Sequence, residues 1–97
     1  MYELIPSKFF LEQVSSLSVK SRNVVFDKLM LVKINPFRYK RIYGYNLFLF
    51  RIRFSDRNNA LRIIYFIEGN FVKIVCILNR SKKYKDLEKY LKKFRTS

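Results

Sequence analysis

The spacing of apolar positions changes along the chain, and each change marks an element. Tyr2 to Ile5 is a short apolar run closed by Pro6, which reads as a strand. Ser7 is a residue type that caps helices. Beyond it Phe10, Val14 and Leu17 fall at i, i+4 and i+7, one helical face. Ser18 to Ser21 supply a turn. Val25, Leu29 and Val32 then form a second stripe, with Arg22 and Lys28 outside it, and predict a helix from Ser21 to Val32. Two short helices joined tightly make an αα-hairpin. Asn35-Pro36 ends it, because the residue before proline is pushed out of the helical region.

Phe37 to Gly44 reads as a loop, and three strand-like runs come after it: Leu47 to Phe54, Leu61 to Glu68 and Phe71 to Asn79. Each is rich in β-branched and aromatic residues. Ser55 to Asn59 and Gly69-Asn70 supply the turns. The predicted result is a three-stranded meander joined by the N-terminal strand. Tyr84 to Phe94 spaces Leu87, Leu91 and Phe94 as a basic amphipathic helix. The order β-α-α-β-β-β-α predicts one α+β domain over residues 1–97. In it the N-terminal strand and αα-hairpin pack on a small, mainly antiparallel sheet, with a helix at the C-terminus.

Strand alternation assigns faces. Phe48, Phe50, Ile52 and Phe54 share one face of their strand, and Arg51 and Arg53 the other. Arg62 begins a face with Ile64 and Phe66, opposite Leu61, Ile63, Tyr65 and Ile67. Both faces of this strand are apolar past its start, so both need cover. The αα-hairpin can supply one cover. The C-terminal helix, or an apolar segment of a partner, must supply the other.

Charge changes the picture most. Twenty-one Lys and Arg oppose seven Asp and Glu, a formal charge of +14 on 97 residues. Such a surplus repels itself, and a polyanion offsets it, which is the electrostatic footprint of a nucleic-acid binder. An apolar fraction of 49% excludes global disorder. No long uncharged apolar span occurs, and Leu47 to Phe50 is too short to cross a bilayer. Met1-Tyr2-Glu3 leads straight into folded-looking sequence, so a cytoplasmic location is expected.

The chain has no His and a single Cys, Cys76, inside an apolar run. Disulfide scaffolding and a zinc ligand set are excluded, as are Ser-His and Cys-His nucleophiles. Neither metal nor cofactor is expected. Chemistry, if present, falls to Lys, Arg, Tyr and a few carboxylates. Arg51, Arg53, Arg62 and Arg80 lie at strand positions that a meander can bring to one side. Phosphodiester is a matching counter-ion, since the guanidinium fork bonds phosphate oxygens in pairs. For any one of them the plain alternative is a solvated surface arginine. Arg38, Lys40 and Arg41 interleave with rings in the segment Phe37 to Gly44, a pattern suited to base stacking with phosphate contact. The plain alternative is that these rings plug the edge of the core. Residues 80–97 carry eight basic side chains, Lys82 and Lys83 among them, against Asp86 and Glu88. They form either a solvated face or a grip on nucleic-acid phosphates.

The runs Phe50-Arg51-Ile52-Arg53-Phe54, Leu61-Arg62-Ile63-Ile64-Tyr65 and Val75-Cys76-Ile77-Leu78-Asn79-Arg80, with Tyr84 after them, resemble the RelE/ParE toxin superfamily. RelE-type members are the nearest in pattern. The resemblance spans nearly the whole chain. It implies a RelE-like fold and a metal-independent endoribonuclease that cuts mRNA in the ribosomal A site. There a 2′-hydroxyl attacks the adjacent phosphate. Arg62 and Arg80 would stabilise charge, and Tyr84 would stack on a base or help move a proton. Some members carry Lys where this chain has Arg51 and Arg53. Arginine effectively cannot deprotonate, so the base would be Lys82, Lys83 or Tyr84, or cleavage would rest on orientation and charge alone. The implied partners are mRNA, the ribosome with its rRNA, and an acidic RelB-like antitoxin whose helix fills an apolar groove. A ParE-like gyrase poison and a non-catalytic RNA-binding module are the alternative functions.

Overall fold

In chain order the elements are β1 (Glu3–Pro6), α1 (Lys8–Ser15), α2 (Val19–Ile34), a 3-10 turn (Pro36–Arg38), β2 (Lys40–Ile42), β3 (Phe48–Asp56), β4 (Asn59–Glu68), β5 (Phe71–Asn79), a second 3-10 turn (Arg80–Lys82) and α3 (Leu87–Thr96). This computed structural model describes residues 1–82, 84 and 86–96, apart from the side chains of Lys82, Arg95 and Thr96. The strands form one sheet in the order β1-β5-β4-β3-β2, with β1 parallel to β5 and every other pairing antiparallel. No described helix is long and apolar enough to cross a membrane.

The predicted α+β arrangement is present, with local differences. Ser7 caps α1 by accepting from the Phe10 amide at 2.9 Å. Ser18 caps α2 by accepting from the Ser21 amide at 3.2 Å. The segment expected to be a turn from Ser18 to Ser21 is therefore the cap and first turn of α2, which also runs on to Ile34. The β3–β4 turn is tighter than Ser55 to Asn59. Asp56 faces Asn59, and only Arg57 and Asn58 lie between, at φ of 48° and 67°. That is the left-handed geometry of a two-residue hairpin turn, and Asn tolerates it well. Gly69, at φ +60°, supplies the same freedom in the expected β4–β5 turn.

Phe37 to Gly44 is more than a loop. Its centre pairs with β3, Lys40 opposite Arg51 and Ile42 opposite Leu49, as a fifth strand. A three-residue edge strand carrying Lys and Arg has no hydrophobic run to announce it. At the other end, α3 starts at Leu87 rather than Tyr84. Tyr84 adopts φ +62°, outside helical geometry, and its carbonyl accepts from the Leu87 amide at 3.1 Å.

Two apolar layers sandwich the sheet. Phe10, Val25, Leu29 and Val32 of the αα-hairpin pack on Phe50, Ile52, Ile63, Tyr65 and Ile74. Leu87 and Leu91 of α3 pack on Leu49, Ile64, Phe66, Val75, Cys76 and Leu78. The second face is thus covered by the chain's own helix. Complete burial of a leucine such as Leu87 contributes roughly 1.5–3 kcal/mol toward holding α3 down. Cys76 is fully enclosed there, and desolvation pushes its thiol up to about 12, which makes it inert.

One irregularity sets the phase of the last strand. The β4–β5 register slips between Ile64, opposite Cys76, and Tyr65, opposite Ile74, leaving Val75 as an extra residue. Val72 and Ile74 face the αα-hairpin, whereas beyond the bulge the even positions Cys76 and Leu78 face α3. Where β1 ends, residues at and in α1 take over the pairing of β5 on that side. Ser7 donates its amide to the Ile74 carbonyl at 2.9 Å and its hydroxyl to the Val75 carbonyl at 2.6 Å. The Gln13 side chain then pairs with both Ile77 backbone groups, at 2.8 and 2.6 Å, much as another strand would.

Candidate active site

Register brings the arginines together. Arg53 lies directly opposite Arg62 across β3 and β4, and Arg51 lies opposite Ile64, one diagonal step away. On the other side Arg62 faces Leu78, and Arg80 comes two residues later. Without the bulge at Val75, even-numbered positions of β5 would continue toward the αα-hairpin, and Arg80 would leave this face. β5 ends at Asn79, whose carboxamide oxygen accepts from the Ser81 amide at 3.0 Å and the Ser81 hydroxyl at 2.8 Å. This short turn sets Arg80 at the rim of the sheet. Asn79 is given no site role by the sequence reading, although Asn is a residue type whose side chain bonds the backbone two residues on and so makes such a turn.

Tyr84 sits within the group. Arg51 Nη1 donates to the Tyr84 hydroxyl at 2.7 Å, and the Arg62 guanidinium lies over the Tyr84 ring, 4.8 Å from its centroid. The ring and its hydroxyl therefore tie β3, β4 and the segment before α3 into one constellation. Arg51, Arg62 and Arg80 are half-buried, whereas Arg53 is exposed. The Nε atoms of Arg51, Arg62 and Arg80 are buried without a hydrogen-bond partner among the described residues. Desolvation comes first, and the charges of Arg51, Arg53 and Arg80 act with it, in pushing the Arg62 guanidinium below its ordinary value, while Tyr84 opposes them. Cations crowded with unspent donors form a cradle for an anion.

The remaining expected RNA contacts divide between the two faces. Lys40 stands opposite Arg51, and with Arg41, Ile42, Tyr43, Tyr45, Arg51 and Tyr84 it lines a cavity of about 380 Å³ at the sheet edge. Lys40 is the amine that β2 delivers to this face, where sequence pattern alone predicts only a loop. Arg41 stands opposite Phe50, which belongs to the αα-hairpin face. Its guanidinium lies 4.4 Å from the Phe48 centroid and 5.0 Å from that of Tyr43. Arg38 is exposed in the 3-10 turn, 5.5 Å from the Tyr39 centroid. The side chain of Lys82 and all of Lys83 fall outside the described residues.

No protein-family model matches the chain, and no curated protein matches it in sequence. Solved structures match over nearly its full length. A free-state variant of E. coli toxin RelE with two arginines changed to alanine gives a TM-score of 0.75 at 17% identity, with 96% of each chain covered. The isolated E. coli RelE toxin gives 0.68 at 21% identity, covering 94% of this chain and 99% of that one. The intact E. coli RelBE toxin–antitoxin complex gives 0.70 at 17% identity, covering 81% of this chain and 96% of the matched chain. The fold is the RelE fold.

Proposed function

We propose that this chain is the toxin of a toxin–antitoxin pair and an endoribonuclease that cleaves mRNA in the ribosomal A site. The observation that carries the reading is the constellation on the α3 face. Arg62 is flanked by Arg53, Arg51 and Arg80 and lies over Tyr84. The likeness in fold to RelE supports it.

The chemistry rests on what the side chains can do. A 2′-oxygen attacks the neighbouring phosphorus, the bond from phosphorus to the 5′-oxygen breaks, and a 2′,3′-cyclic phosphate and a 5′-hydroxyl result. One proton leaves the 2′-oxygen and one reaches the 5′-oxygen. Arg62 and Arg80 hold the phosphoryl oxygens as negative charge builds, and such preorganised cations contribute most when water is kept away. Arg51 and Arg53 orient the strand. The Tyr84 hydroxyl accepts from Arg51, so its own proton is free to pass to the leaving 5′-oxygen. With Tyr84 as the acid, the base is Lys82 or Lys83, and Lys40 adds a phosphate contact from β2. No metal takes part in this scheme.

An acidic antitoxin of the RelB kind is the proposed partner. A groove of about 770 Å³ between the start of α1 and the end of α3, floored by Phe9, Phe66, Val75, Tyr90 and Phe94, would take the apolar side of its helix. The RelBE complex among the similar structures supports such a partner. A cytoplasmic location goes with this reading.

The test is cleavage of an mRNA held on bacterial ribosomes, mapped by primer extension, with Arg62→Ala in parallel. A-site cuts present in the wild type and lost in the variant are expected. Ribosome binding without cuts would leave only an RNA-binding module, and neither binding nor cuts would remove the reading.

A further inference from the structure

The face of the β2–β3 edge opposite the arginine constellation carries a second concentration of base and ring. Arg41 is its centre. Its guanidinium lies within 5.8 Å of three ring centroids, those of Phe48, Tyr43 and Phe50. Its hydrogen bond is a long one, from Nη2 to the Leu47 carbonyl at 3.4 Å, and its Nε is buried with no partner among the described residues. Phe50 belongs to the core and accounts for part of this packing. Core packing does not account for Tyr43 and Phe48, which are 78% and 54% exposed. Phe37, 52% exposed and edge-on to Phe50 at 5.7 Å, extends the same patch. No acidic residue occurs between Asp27 and Asp56, so the whole edge is positive.

We infer that Tyr43, Phe48 and Arg41 form a stacking platform for unpaired nucleotides of single-stranded RNA, adjoining the cavity beside the proposed cleavage site. This deepens the RNA-directed reading above and rests on it for the class of ligand. Exposed rings beside a guanidinium match the two chemical halves of a nucleotide. The ring faces take a base, and the unspent donors of Arg41, with Arg38 nearby in sequence, take its phosphates. A duplex hides its base faces and would gain only the charge. An acidic protein segment would meet the charge as well, but it has no planar face for two solvent-exposed rings. Lys40, on the other face of the same short strand, would meet the continuing backbone as it enters the cavity beside Arg51.

The experiment is fluorescence anisotropy with two labelled probes and no ribosome. One is a mixed-sequence single-stranded RNA of about 12 nucleotides, within the usual span of such sites. The other is the matching duplex. The proteins are wild type, Tyr43→Ala with Phe48→Ala, and Tyr43→Leu with Phe48→Leu, each checked for an unchanged thermal melt. Both ring-less variants are expected to bind the single strand about 10- to 100-fold more weakly, as loss of one or two stacked bases implies, and the duplex as before. Leucine keeps bulk without a stacking face, so its failure to restore binding separates stacking from simple burial. Wild-type affinity for the single strand in either variant would overturn the inference. So would equal losses for strand and duplex, or displacement of the single strand by polyglutamate as effectively as by unlabelled RNA. Because cleavage is not the readout, the platform can fail while the A-site reading stands, and the reverse.

Discussion

Replacing Arg62 by Gln is expected to stabilise the free protein while abolishing its proposed activity. Arg62 faces Arg53 directly and has Arg51 and Arg80 on its diagonals. Directly opposed residues have Cβ atoms about 4.5–5.5 Å apart, and diagonal ones about 7–8 Å. At about 7 Å two unit charges repel by about 0.6 kcal/mol in the dielectric of water, and by more where the site is partly dry. Three neighbours therefore cost about 1.5–2 kcal/mol, and the desolvation that depresses Arg62 adds to this. The stack on Tyr84, 4.8 Å from the ring centroid, returns about 0.5–1 kcal/mol and is lost in the variant. The balance is a net gain of about 0.5–1.5 kcal/mol, or about 2–12 °C in Tm for a domain of this size. The assay is thermal unfolding by circular dichroism at 0.1 M and 1 M NaCl. The screening length falls from about 10 Å to about 3 Å between those conditions, so the gain should nearly vanish at high salt. The ribosome assay should meanwhile show a loss of about 10²- to 10³-fold, the usual consequence of removing one preorganised charge stabiliser. A lower Tm at 0.1 M, or a gain that persists at 1 M, would refute the reasoning. Arg62 would then be a satisfied structural residue rather than part of a cradle waiting for an anion.

Tyr84→Phe keeps the ring beneath Arg62 and removes only the hydroxyl that Arg51 contacts. If the hydroxyl moves a proton, kcat should fall about 10²-fold or more with KM little changed, and an unaltered kcat would leave Tyr84 a stacking role alone. Tyr65→Phe removes a buried hydroxyl that donates to the Pro36 carbonyl at 2.6 Å, and should cost about 1–3 kcal/mol in denaturant unfolding. Burial raises the Tyr65 phenol above its ordinary value of 10.0, so the folded state holds its proton longer than the unfolded chain. The resulting stability is complete below pH 10 and lost as pH rises further, a decline that unfolding of the Phe variant between about pH 9 and 11 should lack. Ser21 and then Ser18 hydroxyls hold the Asp56 carboxyl below its ordinary 3.8, which stabilises the fold above that pH and ceases to do so as pH falls through the lowered value. Asp56→Asn should therefore flatten the acid limb of the stability curve, and an unchanged limb would show that other carboxylates govern it.

Much of this is legible in the sequence because its signals are local. Phe10 and Val14 of the first stripe and Val25, Leu29 and Val32 of the second repeat at helical spacing, and all of them meet the same core. Apolar alternation in β4 announces cover on both faces, and α3 provides the second cover. The grouping of Arg51, Arg53 and Arg62 needs only strand period and a hairpin. β2 is invisible to pattern because three residues with two cations carry no periodicity of their own. It exists by pairing with β3, and that pairing sends Lys40 and Arg41 to opposite faces.

What the sequence determined by itself is composition and pattern: the surplus of positive charge, the order of the helices and longer strands, and the exclusion of histidine-dependent chemistry. Only the tertiary structure decided which side of the sheet Arg80 occupies. Strand period alone would carry Arg80 to the side of Val72 and Ile74, under the αα-hairpin. The extra residue at Val75 reverses that phase, and Ser7 and Gln13, more than sixty residues away in the chain, bond the β5 backbone beyond the end of β1. A bulge depends on agreement between distant backbone groups, so no window along the chain contains it.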